Sequence, residues 1–121
     1  MTKTLILSIA LIFYGYSLNA QTQFYSGFSD GDNISAKLTW NNDKTVSGSY
    51  YFKSNSKRVY ILSGTNYYDG VIEISEYFNG KKTGEGTLYK TLKKGRIIWS
   101  GDISSPDAPD SYSYMYLTRA R

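Results

Sequence analysis

The chain has no cysteine, no histidine and only two prolines, and it lacks any apolar run long enough to cross a membrane as a helix. Without cysteine there can be no disulfide, thiol nucleophile, iron–sulfur cluster or zinc knuckle. Without histidine there is no Ser-His-Asp triad, no imidazole acid–base pair and no His-bearing zinc site. Both prolines, Pro106 and Pro109, fall in one predicted loop, so every predicted strand is free of proline. Helix signals are missing as well: no window repeats its apolar residues every 3.6 positions, and helix caps are absent. The length, 121 residues, allows one domain. What is abundant is aromatic. Thirteen tyrosines dominate a 17% aromatic content.

Residues 1–20 read as a signal peptide. Lys3 precedes an apolar run from Leu5 to Phe13, Gly15, Tyr16 and Ser17 break that run, and Ala20 offers a small cleavage position before Gln21. The run is too short for a membrane span, and no cysteine follows it to carry a lipid. The expectation is export to the periplasm or beyond, as a single domain covering 21–121. Cleavage removes Lys3 and no acid, so the formal charge falls from +4 to +3. An exported domain of this size commonly relies on disulfides. Here aromatic packing must replace them.

Beyond Gln21 the apolar residues recur every second position, which is strand periodicity. Ile34, Ala36, Leu38 and Trp40 share one face of a strand over Asn33–Trp40, and Val46, Gly48, Tyr50 and Phe52 share one face of Thr45–Lys53. Further strands are predicted at 23–28, 58–64, 71–78, 83–92, 96–103 and 112–119. Turn signals separate them at Asp30-Gly31-Asp32, Asn41–Lys44, Ser54–Lys57, Tyr68-Asp69-Gly70, Asn79-Gly80 and Lys93-Lys94-Gly95. Eight short strands joined by tight hairpins predict an all-β, antiparallel up-and-down meander closing into a small barrel. A two-sheet sandwich is the alternative.

Val46–Phe52, Tyr60–Thr65, Ile72–Tyr77 and Gly80–Gly86 resemble the strands of small exported bacterial β-barrel proteins of mostly unknown function, with the avidin or lipocalin style of meander. That resemblance implies export and a barrel whose mouth binds ligands. The residues that would identify biotin or a particular lipid as ligand are not present. Tyr77–Leu88 also resembles a single MORN repeat, without the further copies that an array requires.

Glu76 is the first candidate site residue. It shares parity with Ile72, Ile74 and Phe78, whereas Glu73, three positions away, faces the opposite side. A carboxylate on the apolar face can contact an internal ligand, or, near the strand end, can bond tyrosine hydroxyls or lysine. Tyr112, Tyr114 and Tyr116 alternate with Met115 and Leu117. If the latter two point inward, the tyrosines form an exposed ladder suited to stacking or partner contact. Tyr51, on the polar face of its strand, joins these as a candidate contact. Asp30-Gly31-Asp32-Asn33 presents alternating oxygen donors but lacks the rest of a calcium loop, and a hairpin turn explains it more simply. No metal or cofactor is expected. Cations at Lys53–Arg58, Lys81-Lys82 and Lys90–Arg96 fall on predicted turns and read as solvated loop charge.

The favoured reading is a non-enzymatic exported binding module that recognises a small ligand, glycan or partner protein through the barrel mouth or the tyrosine face. A hydrolase inhibitor of the lysozyme-directed kind is one version. A structural or envelope-associated assembly protein is the alternative. A carboxylate-based hydrolase ranks last, for want of histidine. Nucleic acid is not expected as a partner, and membrane contact is expected only through the signal peptide.

Overall fold

The computed structural model describes residues 20–120; the predicted signal peptide lies outside the described residues apart from Ala20. Eight strands follow one another: β1 (Gln21–Ser29), β2 (Asp32–Trp40), β3 (Thr45–Phe52), β4 (Asn55–Tyr68), β5 (Val71–Phe78), β6 (Lys81–Lys93), β7 (Arg96–Ser105) and β8 (Ala108–Arg119). Each is antiparallel to its neighbours in chain order. The barrel closes where Tyr25–Ser29 of β1 pair with Met115–Arg119 of β8. That seam rules out the sandwich.

The turns behave as their sequences predict. Asp30-Gly31, Asn79-Gly80 and Lys94-Gly95 hold positive φ at both residues, the signature of two-residue turns whose twist matches the flanking strands. Lys44 also has positive φ, at 68°, where Asp43 Oδ1 accepts the backbone N–H and hydroxyl of Thr45. Those two bonds hold the exposed Asp43 carboxyl below its ordinary value.

Alternation puts Ile34, Leu38, Leu62, Ile72, Leu88 and Leu117 on the inside, where they are buried. Together with Met115 and Val46 they fill the middle of the barrel, as an eight-strand circumference requires. The outward positions carry Ser26, Ser35, Ser47, Ser63 and Ser75 with scattered Thr and Lys. Exposed Phe24, Val59 and Ile61 stand among them, and the apolar filling is the reverse of the polar lumen of a transmembrane barrel. Inward glycines let the strands bend around this small circumference: a Cβ on Gly27 would land on the carbonyl oxygen of Tyr116, and one on Gly101 on that of Thr87.

Two expectations need correction. β4 begins at Asn55 rather than Arg58 and runs to Tyr68, because Asn55 pairs with Phe52 across a two-residue turn and a bulge absorbs Ser56–Arg58 before Val59 meets Tyr51. β8 begins at Ala108, so Pro109 lies within a strand rather than a loop. It is tolerated there because the register breaks after Ser105↔Ala108 and resumes only at Ser104↔Tyr112, so no ladder bond needs its missing N–H.

Candidate functional site

At the end of the barrel that carries the Asp30-Gly31, Lys53-Ser54, Asn79-Gly80 and Pro106-Asp107 turns, the apolar filling stops short. It leaves an open cup of about 390 Å³. Glu76 forms its floor. Inward parity carries the side chain past Ile72 and Ile74 into the barrel, where the residue is only 8% exposed. Both carboxylate oxygens accept hydrogen bonds: Tyr50 donates its hydroxyl to Oε2, and Thr83 donates to Oε1 at 2.8 Å.

Thr83 reaches Glu76 through a bulge. Glu76 pairs with Gly84 but Tyr77 pairs with Lys82, so Thr83 is the extra residue on β6 and its hydroxyl turns inward. Gly84 keeps the space clear. A Cβ there would come within 2.6 Å of Ile103 Cγ2 and 3.5 Å of Glu76 Oε1.

The wall of the cup is aromatic. Tyr50 stacks on Tyr60 with ring centres 5.0 Å apart and meets Phe52 edge-on at 5.8 Å. Tyr60 leans on Phe78 at 5.1 Å, and the Arg58 guanidinium lies 4.4 Å from the centre of the Phe78 ring and 5.6 Å from that of Tyr60. Burial, reinforced by the charge of Glu76 and the bond to it, pushes the Tyr50 phenol far above its ordinary value. The hydroxyl is therefore a permanent donor at any physiological pH. Asp30, Asp32 and Tyr112 stand among the residues at the rim. Among the described residues no cation lies within ion-pairing distance of Glu76, and no three acids converge to hold a metal ion.

Of the residues singled out in the sequence, the cup therefore brings together Glu76 and Tyr112. Tyr114 and Tyr116 lie on the outer face of β8, as the inward Met115 and Leu117 require, and Phe28 of β1 stacks flat on Tyr116 at 5.1 Å. One face of Tyr116 is thus already covered. Tyr51 sits on the outer wall of β3, three strands around from β8, beside Phe24, Ser35 and Val59. The Asp30-Gly31 segment is a hairpin turn whose two acids face the cup. Sequence reasoning missed Tyr50, Tyr60 and Thr83 as site residues. The parity of Tyr50 with Val46 was the available signal for the first.

The opposite end holds a smaller recess of about 220 Å³, where Trp40 and Trp99 lie 5.2 Å apart above Tyr25, with Arg119 at its edge. Burial raises the Tyr25 phenol, opposed by the two indoles beside it. A broader trough of about 530 Å³ on the outer wall runs across β3–β6 between Thr65, Glu73, Ser75 and Glu85. It is shallow and fully outside the barrel. Comparison with known protein families, curated proteins and solved structures finds no match to this chain.

Proposed function

We propose that the chain is an exported, non-enzymatic binding protein whose barrel mouth takes the ammonium or guanidinium group of a small ligand or of a partner's basic side chain. One observation carries this reading. A buried carboxylate lies under an open aromatic cup and is bonded only by the neutral hydroxyls of Tyr50 and Thr83. A charge removed from water and met only by neutral donors gains from an opposite charge brought beside it. Phe52 supplies ring surface for the same cation, Tyr60 being already stacked on Tyr50 and approached by Arg58, and Asp30 and Asp32 at the rim add attraction on entry. The cup volume suits one small head group.

The signal-peptide pattern of residues 1–20 supports a periplasmic or extracellular setting. The lack of histidine and cysteine supports binding over catalysis. The outer ladder of Phe28, Tyr116 and Tyr114 favours a second reading, in which that face of β1 and β8 contacts a partner protein, since Tyr114 remains 45% exposed.

Titration with agmatine and with butylamine, followed by NMR at Tyr50, Tyr60 and Thr83, tests the primary reading. Both amines should shift these resonances saturably, and neutral butanol should not. Glu76→Gln should weaken amine binding at least tenfold while the barrel stays folded. Equal response to butanol, or undiminished binding by the Glu76→Gln variant, would overturn the proposal.

A further inference from the structure

We infer that the end of the barrel opposite the cup docks on an anionic phospholipid surface. The observations are independent of whether the cup binds a cation. They begin with register. β5 last pairs with β6 at Val71↔Tyr89, and β8 last pairs with β7 at Ile98↔Thr118. The ladder of β6 and β7 continues alone through Leu92↔Ile97 and Lys93↔Arg96. The two strands therefore run on past their outer neighbours as a hairpin turned at Lys94-Gly95, anchored by Ile97, which packs against the core.

That hairpin and the turn beside it combine two features that an ordinary solvated loop does not. Leu92 is 71% exposed near the tip, and Tyr67, Tyr68 and Tyr89 are exposed at the same end of the barrel. The register aligns Tyr68, Val71 and Tyr89 in one row across β4, β5 and β6, and Lys90 N–H donates to the Gly70 carbonyl at 2.9 Å, tying the β4–β5 turn to the hairpin. Around this apolar and aromatic rim stand Lys44, Lys90, Lys93, Lys94, Arg96 and Arg119. Asp43, Asp69 and, one row further in, Glu73 oppose them at this end, with Asp69 reaching Lys90 at 4.0 Å.

At the mouth end acids slightly outnumber cations: Lys53, Lys57, Arg58, Lys81 and Lys82 face Asp30, Asp32, Glu76, Glu85, Asp107 and Asp110. Positive charge is thus concentrated at one pole of the barrel axis. A polyanion in solution would use the cations but has no use for a protruding leucine. A lipid surface uses both: anionic head groups attract the lysines, while Leu92 enters the acyl boundary and the tyrosines lie at head-group level. The apolar filling leaves no polar lumen, so the barrel docks by its end and does not span. Docked this way, the Glu76 cup faces away from the membrane. This departs from the expectation that only the signal peptide meets a membrane.

The absence of cysteine makes the test clean. Leu92→Cys and Asp107→Cys variants of the chain from Gln21 onward would each carry one environment-sensitive fluorophore and be mixed with vesicles of phosphatidylglycerol and phosphatidylcholine. The label at position 92 should shift to the blue and be quenched by lipid-borne quencher, while the label at 107 should do neither. Vesicles of phosphatidylcholine alone should leave both labels unchanged, and raised salt should reverse the shift. At about fivefold per basic residue, adding Lys93→Gln, Lys94→Gln and Arg96→Gln should raise the lipid concentration for half-maximal shift about 100-fold. These positions are exposed on a two-stranded arm, and unchanged tryptophan fluorescence without lipid would verify folding. An unmoved label at 92, equal shifts at 92 and 107, or an equal response to neutral vesicles would each overturn the inference.

Discussion

Replacing Tyr50 by Phe isolates the bond on which the cup is built. The substitution removes one oxygen from a buried position at the floor of the cup and leaves the ring stack on Tyr60 intact. Glu76 Oε2 then loses its donor, while Oε1 keeps Thr83. A hydrogen bond to a charged acceptor contributes about 1.5–3 kcal/mol, and water entering from the open cup recovers part of it. The expected loss is about 2 kcal/mol at neutral pH, or about 10 °C in Tm for a domain of this size. Glu76→Gln should cost less, about 1 kcal/mol, because the amide oxygen still accepts from one hydroxyl. In urea denaturation the double variant should then fall short of additivity by about 1 kcal/mol. A Tyr50→Phe loss under about 0.5 kcal/mol, or a strictly additive double variant, would refute the idea that a hydroxyl–carboxylate pair organises the mouth.

Other expectations follow from the same geometry. Tyr50 and Tyr25 hold their phenol protons above the unfolded value of 10.0. Stability is therefore undiminished by them below pH 10 and is lost as pH rises above it, with a slope from Tyr50 of up to about 1.4 kcal/mol per pH unit. Urea midpoints measured from pH 8 to 11 should show this, and Tyr50→Phe should flatten the decline. Gly27→Ala should cost roughly 3 kcal/mol or more, because its methyl would meet the Tyr116 carbonyl across the closing seam; a thermal melt within a degree or two of the parent would contradict that account. Lys44→Gly should stabilise by about 0.5–1 kcal/mol, since glycine relieves the positive φ at no cost to the Asp43–Thr45 bonds. A lower urea midpoint would show that side-chain contacts of Lys44 outweigh its backbone strain.

The barrel was legible in the sequence because period-two alternation survives in all eight strands and Gly-containing turns separate many of them. Ile72, Ile74 and Glu76 share one parity, which is why the buried carboxylate could be named in advance. The rest of the cup could not. Read as an unbroken strand, β6 puts Thr83 outside, opposite in parity to Gly84, Gly86 and Leu88; one extra residue at the Glu76–Gly84 pair reverses its direction. The similar irregularity before Val59 hid how far β4 extends and where Arg58 lands. Bulges leave no alternation to read, and both lie at the mouth. Pro109 misled for a related reason, because the broken register at the start of β8 removes the need for its N–H. The tyrosine ladder was correctly oriented from Met115 and Leu117. Its stacking on Phe28 depends on the β1–β8 seam, which no local pattern reveals.

The seam has a further consequence for how the protein is made. Seven of the eight pairings join strands adjacent in the chain, so each can form as a local hairpin while synthesis or translocation proceeds. The eighth brings residue 25 to residue 119 and must wait for β8 to emerge. Until then β1 and β7 both present unpaired backbone, and the nascent sheet is vulnerable to pairing with a second copy. Closing so long a loop makes the final step slow relative to the hairpins. A chain stalled or clipped before Met115 would be left as a sticky open sheet, so the arrival of β8 is what turns an aggregation-prone intermediate into a closed barrel.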